Sequence, residues 1–98
     1  MKFDSGYKYR MKNKQYVFHC DPGHGWLAVK KSELTYLNLE YKISTFSYMK
    51  GDTVYLEEDC DASEFIRAYT ECFGKRPTFK ESYLENTPIR YYPRYYRS

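Results

Sequence analysis

The sequence predicts a small single domain of the α+β class, in which an antiparallel sheet of two hairpins and a short strand carries two helices (ββαββαβ). The chain has 98 residues, which is about the length of one domain. Short alternating runs of polar and apolar residues lie between turn residues, and one longer segment is apolar at every third or fourth position. We expect a basic arm over 1–14, the domain over 15–83, and a Tyr- and Arg-rich tail over 84–98.

The first hairpin is predicted from two strands around a Pro-Gly turn. Residues 15–20 alternate between two faces, as a half-buried strand does. In Asp21–His24, Pro and Gly occupy the central positions that a type II turn prefers, and Gly25 can adopt a strained exit. Residues 26–29 are a continuous apolar run, which predicts the second strand, with Trp26 in the core.

A short helix and a second hairpin are predicted next. Ser32 can cap a helix that runs to about Asn38. Residues 43–48 and 53–57 alternate like strands on either side of a turn at 49–52. The inward-facing residues of the helix are Leu34 and Leu37.

The strongest helix signal begins at Asp61. We predict Asp61 as the N-cap, Glu64 as its capping-box partner, and Gly74 as the left-handed residue that ends the helix. A last short strand is expected at 78–83. The apolar stripe of the helix comprises Ala62, Phe65, Ile66, Tyr69, Cys72 and Phe73.

Charge is unevenly distributed along the chain. The composition, 42% hydrophobic and 30% charged, excludes a disordered chain and a membrane-embedded protein. The net charge of +3 conceals two basic ends, 1–14 and 75–98, around an acidic middle, 15–74. This asymmetry indicates either different partners for the segments or mutual attraction between them.

The cysteines and the amino-terminal residues indicate a cytoplasmic protein. Cys20, Cys60 and Cys72 are too few, and odd in number, for a disulfide framework, so a reducing compartment is the simpler expectation. The first residues lack the apolar segment of a secretory signal, and no run of 18 apolar residues occurs.

The first hairpin turn contains residue types used in metal binding and catalysis. Cys20, His24 and Cys60 could meet at the start of the long helix, with Asp59 or Asp61 as a further ligand, although the spacing matches no common zinc pattern. Alternatively, His24 could act as a general base, with Cys20 as nucleophile or Asp59 as the orienting carboxylate. A plain turn beside a core cysteine is the favoured interpretation of both patterns.

The acidic run at 57–64 precedes and enters the predicted helix. Its carboxylates can satisfy free backbone N–H groups and complement the helix dipole. They could also imitate the phosphates of DNA, dock onto a basic groove of another protein, or hold magnesium. The role of these carboxylates at the start of the helix is the favoured interpretation.

The tail alternates Arg and Tyr between Pro88 and Arg97. Basic groups with interleaved aromatic rings suit single-stranded nucleic acid. They equally suit an arm that folds over its own acidic core, or one that anchors on a protein partner. We favour a packed or partner-binding arm over RNA binding.

Two stretches, Asp21–Val29 (DPGHGWLAV) and Gly51–Ser63 (GDTVYLEEDCDAS), carry a resemblance to known proteins. They resemble motifs in a group of small uncharacterised proteins encoded by bacteriophages, plasmids and integrated elements, over about residues 16–74. The resemblance implies an accessory protein in the cytoplasm of a bacterial host. Small proteins in that setting often bind host machinery stoichiometrically, including restriction and CRISPR effectors.

We therefore expect a non-enzymatic binding protein, an inhibitor of a host nucleic-acid-binding defence complex of the anti-CRISPR or anti-restriction type. No cofactor, resident metal or membrane is expected. A small hydrolase or metalloprotein built on His24, Cys20 and Asp59 or Asp61, and single-stranded nucleic-acid binding through the tail, are the alternatives. The candidate partner-binding residues are His24, Trp26, Glu57, Glu58, Asp59, Asp61, Arg90, Tyr91, Tyr92, Arg94, Tyr95 and Tyr96.

Overall fold

Helices cover one face of a five-stranded sheet in the computed structural model, which describes residues 5–96. The predicted α+β class is confirmed. None of the helices within these residues is long and apolar enough to cross a bilayer. The elements are α1 (Ser5–Lys12), β1 (Gln15–Cys20), β2 (Gly25–Lys30), α2 (Lys31–Tyr36), β3 (Tyr48–Lys50), β4 (Thr53–Glu57), α3 (Asp61–Phe73), β5 (Thr78–Tyr83) and a 3₁₀ turn (Pro88–Tyr91).

The sheet has the strand order β3-β4-β2-β1-β5. The pairs β1–β2, β2–β4 and β3–β4 are antiparallel, as expected of two hairpins placed side by side. In contrast to the prediction of an antiparallel sheet, β5 pairs with β1 in parallel. The reason is that α3 returns the chain to the end of the sheet where β4 began, so β5 must run in the direction of β4 and β1.

The core lies between the sheet and the helices. Tyr16 packs edge-on against Phe65 and Tyr69 of α3, with ring centroids 5.3 and 6.0 Å away. All three rings are buried, and this packing fixes α3 across the strands. The other buried residues of this layer include Leu27, Val29, Leu34, Val54, Leu56, Ala62 and Phe73.

The predicted basic arm contains a helix. We expected a basic arm without clear helical periodicity over 1–14, yet Ser5–Lys12 form α1. The sequence of α1 shows little apolar periodicity because Met11 is buried whereas the three residues before it, Lys8, Tyr9 and Arg10, are exposed. The Tyr69 hydroxyl donates hydrogen bonds to the carbonyl oxygens of Met11 and Lys12 and so ties the end of α1 to α3. Residues 1–4 lie outside the described part of the chain.

The predicted strand at 43–48 is largely a loop. β3 begins only at Tyr48, and Gly51 and Asp52 form the two-residue turn, with Gly51 at φ +61°. The backbone N–H of Ser44 donates to the carboxylate of Asp61, 3.0 Å away, instead of to a neighbouring strand. The loop is therefore held by a side chain.

The helix starts differ from the predicted caps. Residue 60, not Asp61, is the N-cap of α3, and its side chain makes no capping hydrogen bond. The carboxylate of Glu57 caps the helix instead, since it accepts hydrogen bonds from the backbone N–H groups of Asp59, Cys60 and Asp61. The predicted partner Glu64 pairs with Arg67, and Cys72 is exposed. Gly74 ends the helix at φ +76°, as predicted.

The short helix α2 also begins one residue before its predicted cap. It starts at Lys31, and the carboxylate of Glu33 accepts the backbone N–H of Lys30, so Ser32 is not the cap. It ends at Tyr36, because Asn38 adopts the left-handed conformation with φ +60°. Leu34 is buried as predicted.

The tail packs on the sheet face opposite α3. Tyr92 contacts Tyr55 of β4, with ring centroids 5.4 Å apart. The tail then follows the edge of β3, where Pro93 O accepts from the Met49 N–H and Tyr95 N–H donates to Ser47 O. The described part of the tail is therefore integral to the fold.

Candidate functional site

A cleft of about 420 Å³ lies at one end of the sheet, on the face that the tail covers. Four segments meet there: the turn between β1 and β2, the residues from Phe46 to Tyr48, the junction of β4 with α3, and the tail. The sequence placed candidate residues in three of these segments, but not in the one that contains Phe46 and Tyr48. The cleft brings together His24, Trp26, Glu57, Asp59, Arg90 and Arg94.

The turn of the first hairpin is built around Asp21. Its carboxylate accepts the backbone N–H groups of Gly23 and His24 at 3.0 and 2.8 Å. Gly23 does not adopt the positive φ that a type II turn requires, so the predicted turn type is wrong. The aspartate side chain holds the turn, and the conformational freedom of glycine is not needed for it.

Gly25 is required for its small size. It does not have a positive φ, contrary to the strained exit that we expected. A Cβ atom at this position would lie 2.5 Å from the Phe18 ring and would also overlap the Glu58 carboxylate. Only glycine fits between these two side chains without displacing them.

Arg90 joins the tail to the turn. Its Nε and Nη2 atoms donate to the two oxygens of Asp21 at 2.7 and 3.0 Å. The Asp21 side chain is only 2% exposed, so this bidentate pair is partly shielded from water. The hydrogen bond from Arg90 holds the pKa of Asp21 well below its usual range, and this effect outweighs the opposing effect of burial.

The same guanidinium group also orients His24. Arg90 Nη2 lies 2.8 Å from His24 Nδ1 and, as a donor, makes that nitrogen the acceptor. The neutral imidazole then carries its proton on Nε2. The ring stacks on Trp26 at a centroid distance of 5.8 Å, and Arg90 lies over the same indole. His24 and Trp26 therefore form a fixed wall of the cleft.

Arg94 forms a second wall of the cleft. Its guanidinium lies 4.9 Å from the centroid of the Tyr48 ring and donates to Thr45 O at 3.0 Å. Within residues 5–96 no carboxylate lies within ion-pair distance of it. Phe46, whose side chain is 68% exposed, continues this wall. The wall therefore presents a cation and an apolar ring at the mouth of the cleft.

The acidic run does not form one surface. Glu57 is used by the helix cap, and although burial raises its pKa, the three backbone N–H donors together hold that pKa below its usual value. Asp61 is buried and accepts from the hydroxyls of Ser44 and Ser47. Asp59 is exposed in the cleft, whereas Glu58 lies beside Gly25, away from it.

Cys20 lies away from His24 and Asp59. It pairs with Gly25 across the hairpin, on the sheet face that α3 covers, whereas Trp26 and the His24 stacked on it occupy the other face. Burial, together with the charges of Glu81, Asp21 and Glu58, raises the pKa of the Cys20 thiol. Both facts disfavour Cys20 as a nucleophile activated by His24.

No three His, Cys, Asp or Glu side chains within residues 5–96 cluster in a geometry that could hold a metal ion. Cys60 and Asp59 line the cleft near His24, but Cys20 and the buried Asp61 do not join them there.

The tail tyrosines have different environments. Tyr95 is buried, with its hydroxyl donating to Glu40 O at 2.6 Å, and Tyr92 is half-buried on the sheet. Tyr91 and Tyr96 are 88% and 62% exposed. Only the last two remain available as aromatic contacts for a partner.

Sequence reasoning missed Asp21 as the centre of the turn, and Tyr48 and Phe46 as parts of the cleft. An Asp directly before Pro-Gly is a signal for a side-chain-held turn and could have indicated the first. Nothing in the local pattern around Tyr48 indicates that Arg94 stacks on it.

No family model, curated protein or solved structure matches this chain. The resemblance to proteins of phages and plasmids remains a prediction.

Proposed function

We propose that this protein acts by stoichiometric binding, and that the cleft between the hairpin turn, the start of α3 and the tail receives a partner protein. One observation carries the proposal. Segments that are far apart in the sequence converge to place the exposed side chains of His24, Phe46, Asp59, Arg90 and Arg94 around one cleft.

The free charges of the cleft support this proposal. Arg94 has no carboxylate partner, and the Asp59 side chain has no cationic partner, within the described residues. A partner that supplies complementary charges would pair both groups while covering the ring of Phe46. Arg and aromatic residues are the usual energetic centres of protein interfaces.

The orientation of His24 favours binding over catalysis. Its Nδ1 atom faces a guanidinium and not a carboxylate, so within residues 5–96 no Asp or Glu holds this nitrogen to orient the ring as a base. We further propose, from the resemblance to mobile-element proteins, that the partner is a nucleic-acid-binding defence complex of a bacterial host and that binding inhibits it.

The test compares charge reversals at the cleft with a distant one. Tagged protein captures candidates from a bacterial lysate, and the affinity of the identified partner is then measured for Arg94→Glu, Asp59→Lys and the control Lys75→Glu. Lys75 lies just beyond the carboxyl-terminal end of α3, about 20 Å from the end of the helix that adjoins the cleft. Glu57 is left unchanged because its replacement would weaken the helix.

We expect Arg94→Glu and Asp59→Lys each to weaken binding about tenfold or more, and Lys75→Glu to leave it unchanged. Equal affinity of all three variants and the wild type would remove the cleft from the account. Loss of capture after nuclease treatment would show that nucleic acid is the bound species.

A further inference from the structure

A second groove, of about 260 Å³, lies on the helix-covered face of the sheet, between α3 and the edge strand β5. Phe18, Ile66 and Phe79 contribute to its apolar lining. Two carboxylates, those of Glu58 and Glu81, complete the lining. The groove is thus apolar with acidic groups beside it.

The two edges of the sheet differ in their protection. The tail covers β3, where Met49 N–H donates to Pro93 O and residues 48 and 94 form a bridge. In contrast, β5 pairs only with β1, so within residues 5–96 its outer backbone groups have no strand partner. Its side chains are almost all exposed, including those of Phe79 and Tyr83. An edge of this kind is a template for another strand.

The groove and the free edge lie side by side. The register with β1 places Phe79, Glu81 and Tyr83 opposite Tyr16, Phe18 and Cys20, on the face toward α3. A strand added to β5 would therefore direct every second side chain along the groove. Lys80 points to the other face and does not neutralise the groove.

The carboxylates create an unbalanced negative charge. Neither Glu58 nor Glu81 has a cationic partner within the part of the chain that the structure describes. Burial raises the pKa of the neighbouring Cys20 thiol, and the negative charges of Glu81, Asp21 and Glu58 raise it further.

We propose that β5 binds an extended basic segment of a partner protein, which adds to the sheet as a sixth strand and places a Lys or Arg side chain between Glu58 and Glu81. The aliphatic stem of that side chain lies on the apolar lining, and its charged end pairs with the carboxylates. The backbone bonds supply affinity, and the groove supplies the preference for a basic residue. This surface is separate from the cleft.

The probe is a capped octapeptide that alternates lysine and threonine, so that all lysines share one face. Its binding to ¹⁵N-labelled protein is followed by amide chemical shifts and by slowed hydrogen exchange along β5. A peptide with glutamate in place of lysine is the charge control. The variant Glu58→Gln/Glu81→Gln is compared with Glu85→Gln, an exposed carboxylate outside the groove.

We expect the lysine peptide to slow exchange of the outer amides of β5, and the double variant to bind it about tenfold more weakly or worse. Glu85→Gln should bind it like the wild type, and the glutamate peptide should not bind. Equal binding of both peptides, or an unchanged affinity of the double variant, would overturn the proposal. Protection of β5 amides without peptide, together with dimers in sedimentation, would assign the edge to a second copy of this chain and would also overturn it.

Discussion

Asp21 connects the hairpin turn beside the cleft to the tail. It holds the turn through Gly23 and His24, and it anchors the tail through Arg90, 69 positions later. Because both oxygens accept strong donors, the charged form of the carboxylate is favoured in the folded state. The stability of the domain should therefore depend on the ionisation of Asp21.

The pKa of Asp21 leads to a pH prediction. A carboxyl whose pKa is depressed on folding stabilises the fold fully above its unfolded pKa of about 4, and this contribution is lost as the pH falls toward the folded pKa. We expect Asp21→Asn to lower the melting temperature at pH 6, and the difference from the wild type to shrink toward pH 2. Thermal melts across this range measure it. Asp52→Asn, at an exposed carboxylate, should change little. A difference that stays constant with pH would contradict this role.

Gly25 gives a second prediction at the scale of one residue. Gly25→Ala should cost about 1–3 kcal/mol of unfolding free energy, because the added methyl group overlaps the Phe18 ring. Gly23→Ala is the matched control, since its Cβ would meet Arg90 at an ordinary 3.4 Å. Urea denaturation compares the two variants. Equal stabilities would show that Phe18 and Glu58 move aside freely.

Among the elements, α3 connects the core to the cleft. Its apolar face packs on Tyr16, and the two residues that precede it, Asp59 and the N-cap Cys60, line the cleft together with the tail. The start of the helix depends on Glu57, the last residue of β4, which satisfies three backbone N–H groups at once. The position of Asp59 thus depends on a side chain of the preceding strand.

Replacement of this cap should destabilise the domain. We expect Glu57→Ala to cost about 1 kcal/mol, the usual contribution of a helix cap, in chemical denaturation. Glu64→Ala, which removes an exposed ion pair with Arg67, should cost less. If Glu64→Ala destabilised the domain more than Glu57→Ala, Glu64 would be the capping residue, as the sequence indicates.

The elements that the sequence predicted best are those with a strong local pattern. β1, β4 and β5 have the predicted bounds, and α3 begins one residue before its predicted start and ends at Phe73 as predicted, because alternation and helical periodicity are properties of neighbouring residues. The predicted strand at 43–48 was wrong because its backbone bonds to Asp61, 17 positions away from Ser44. Contacts at such separations leave no trace in a local pattern.

The candidate site shows the same division. Residue types predicted His24, Trp26, Asp59, Arg90 and Arg94 as functional candidates, and the cleft contains all of them. Their mutual arrangement was not predictable, since it depends on the ion pair between Asp21 and Arg90. The prediction that the acidic run forms one surface was wrong, because its carboxylates contact different parts of the fold.

At the scale of the whole molecule, the docked tail is an integral part of the architecture. It covers one face of the sheet, protects the β3 edge, and supplies both arginines of the cleft, while the β5 edge stays open. The attraction between a basic end and the acidic middle of the chain, one of the alternatives that the charge distribution allowed, is realised in the pair of Arg90 with Asp21. Without the docked tail the cleft loses Arg90 and Arg94.

Amide hydrogen exchange tests this docking most directly. The N–H groups of Met49 and Tyr95 bond to Pro93 O and Ser47 O, contacts that exist only when the tail is in place. We expect both amides to be protected to a degree similar to those in the sheet strands. Exchange of both at the rate of an unstructured peptide, while Leu27 and Val54 stay protected, would show that the tail is undocked and would contradict the account of the cleft.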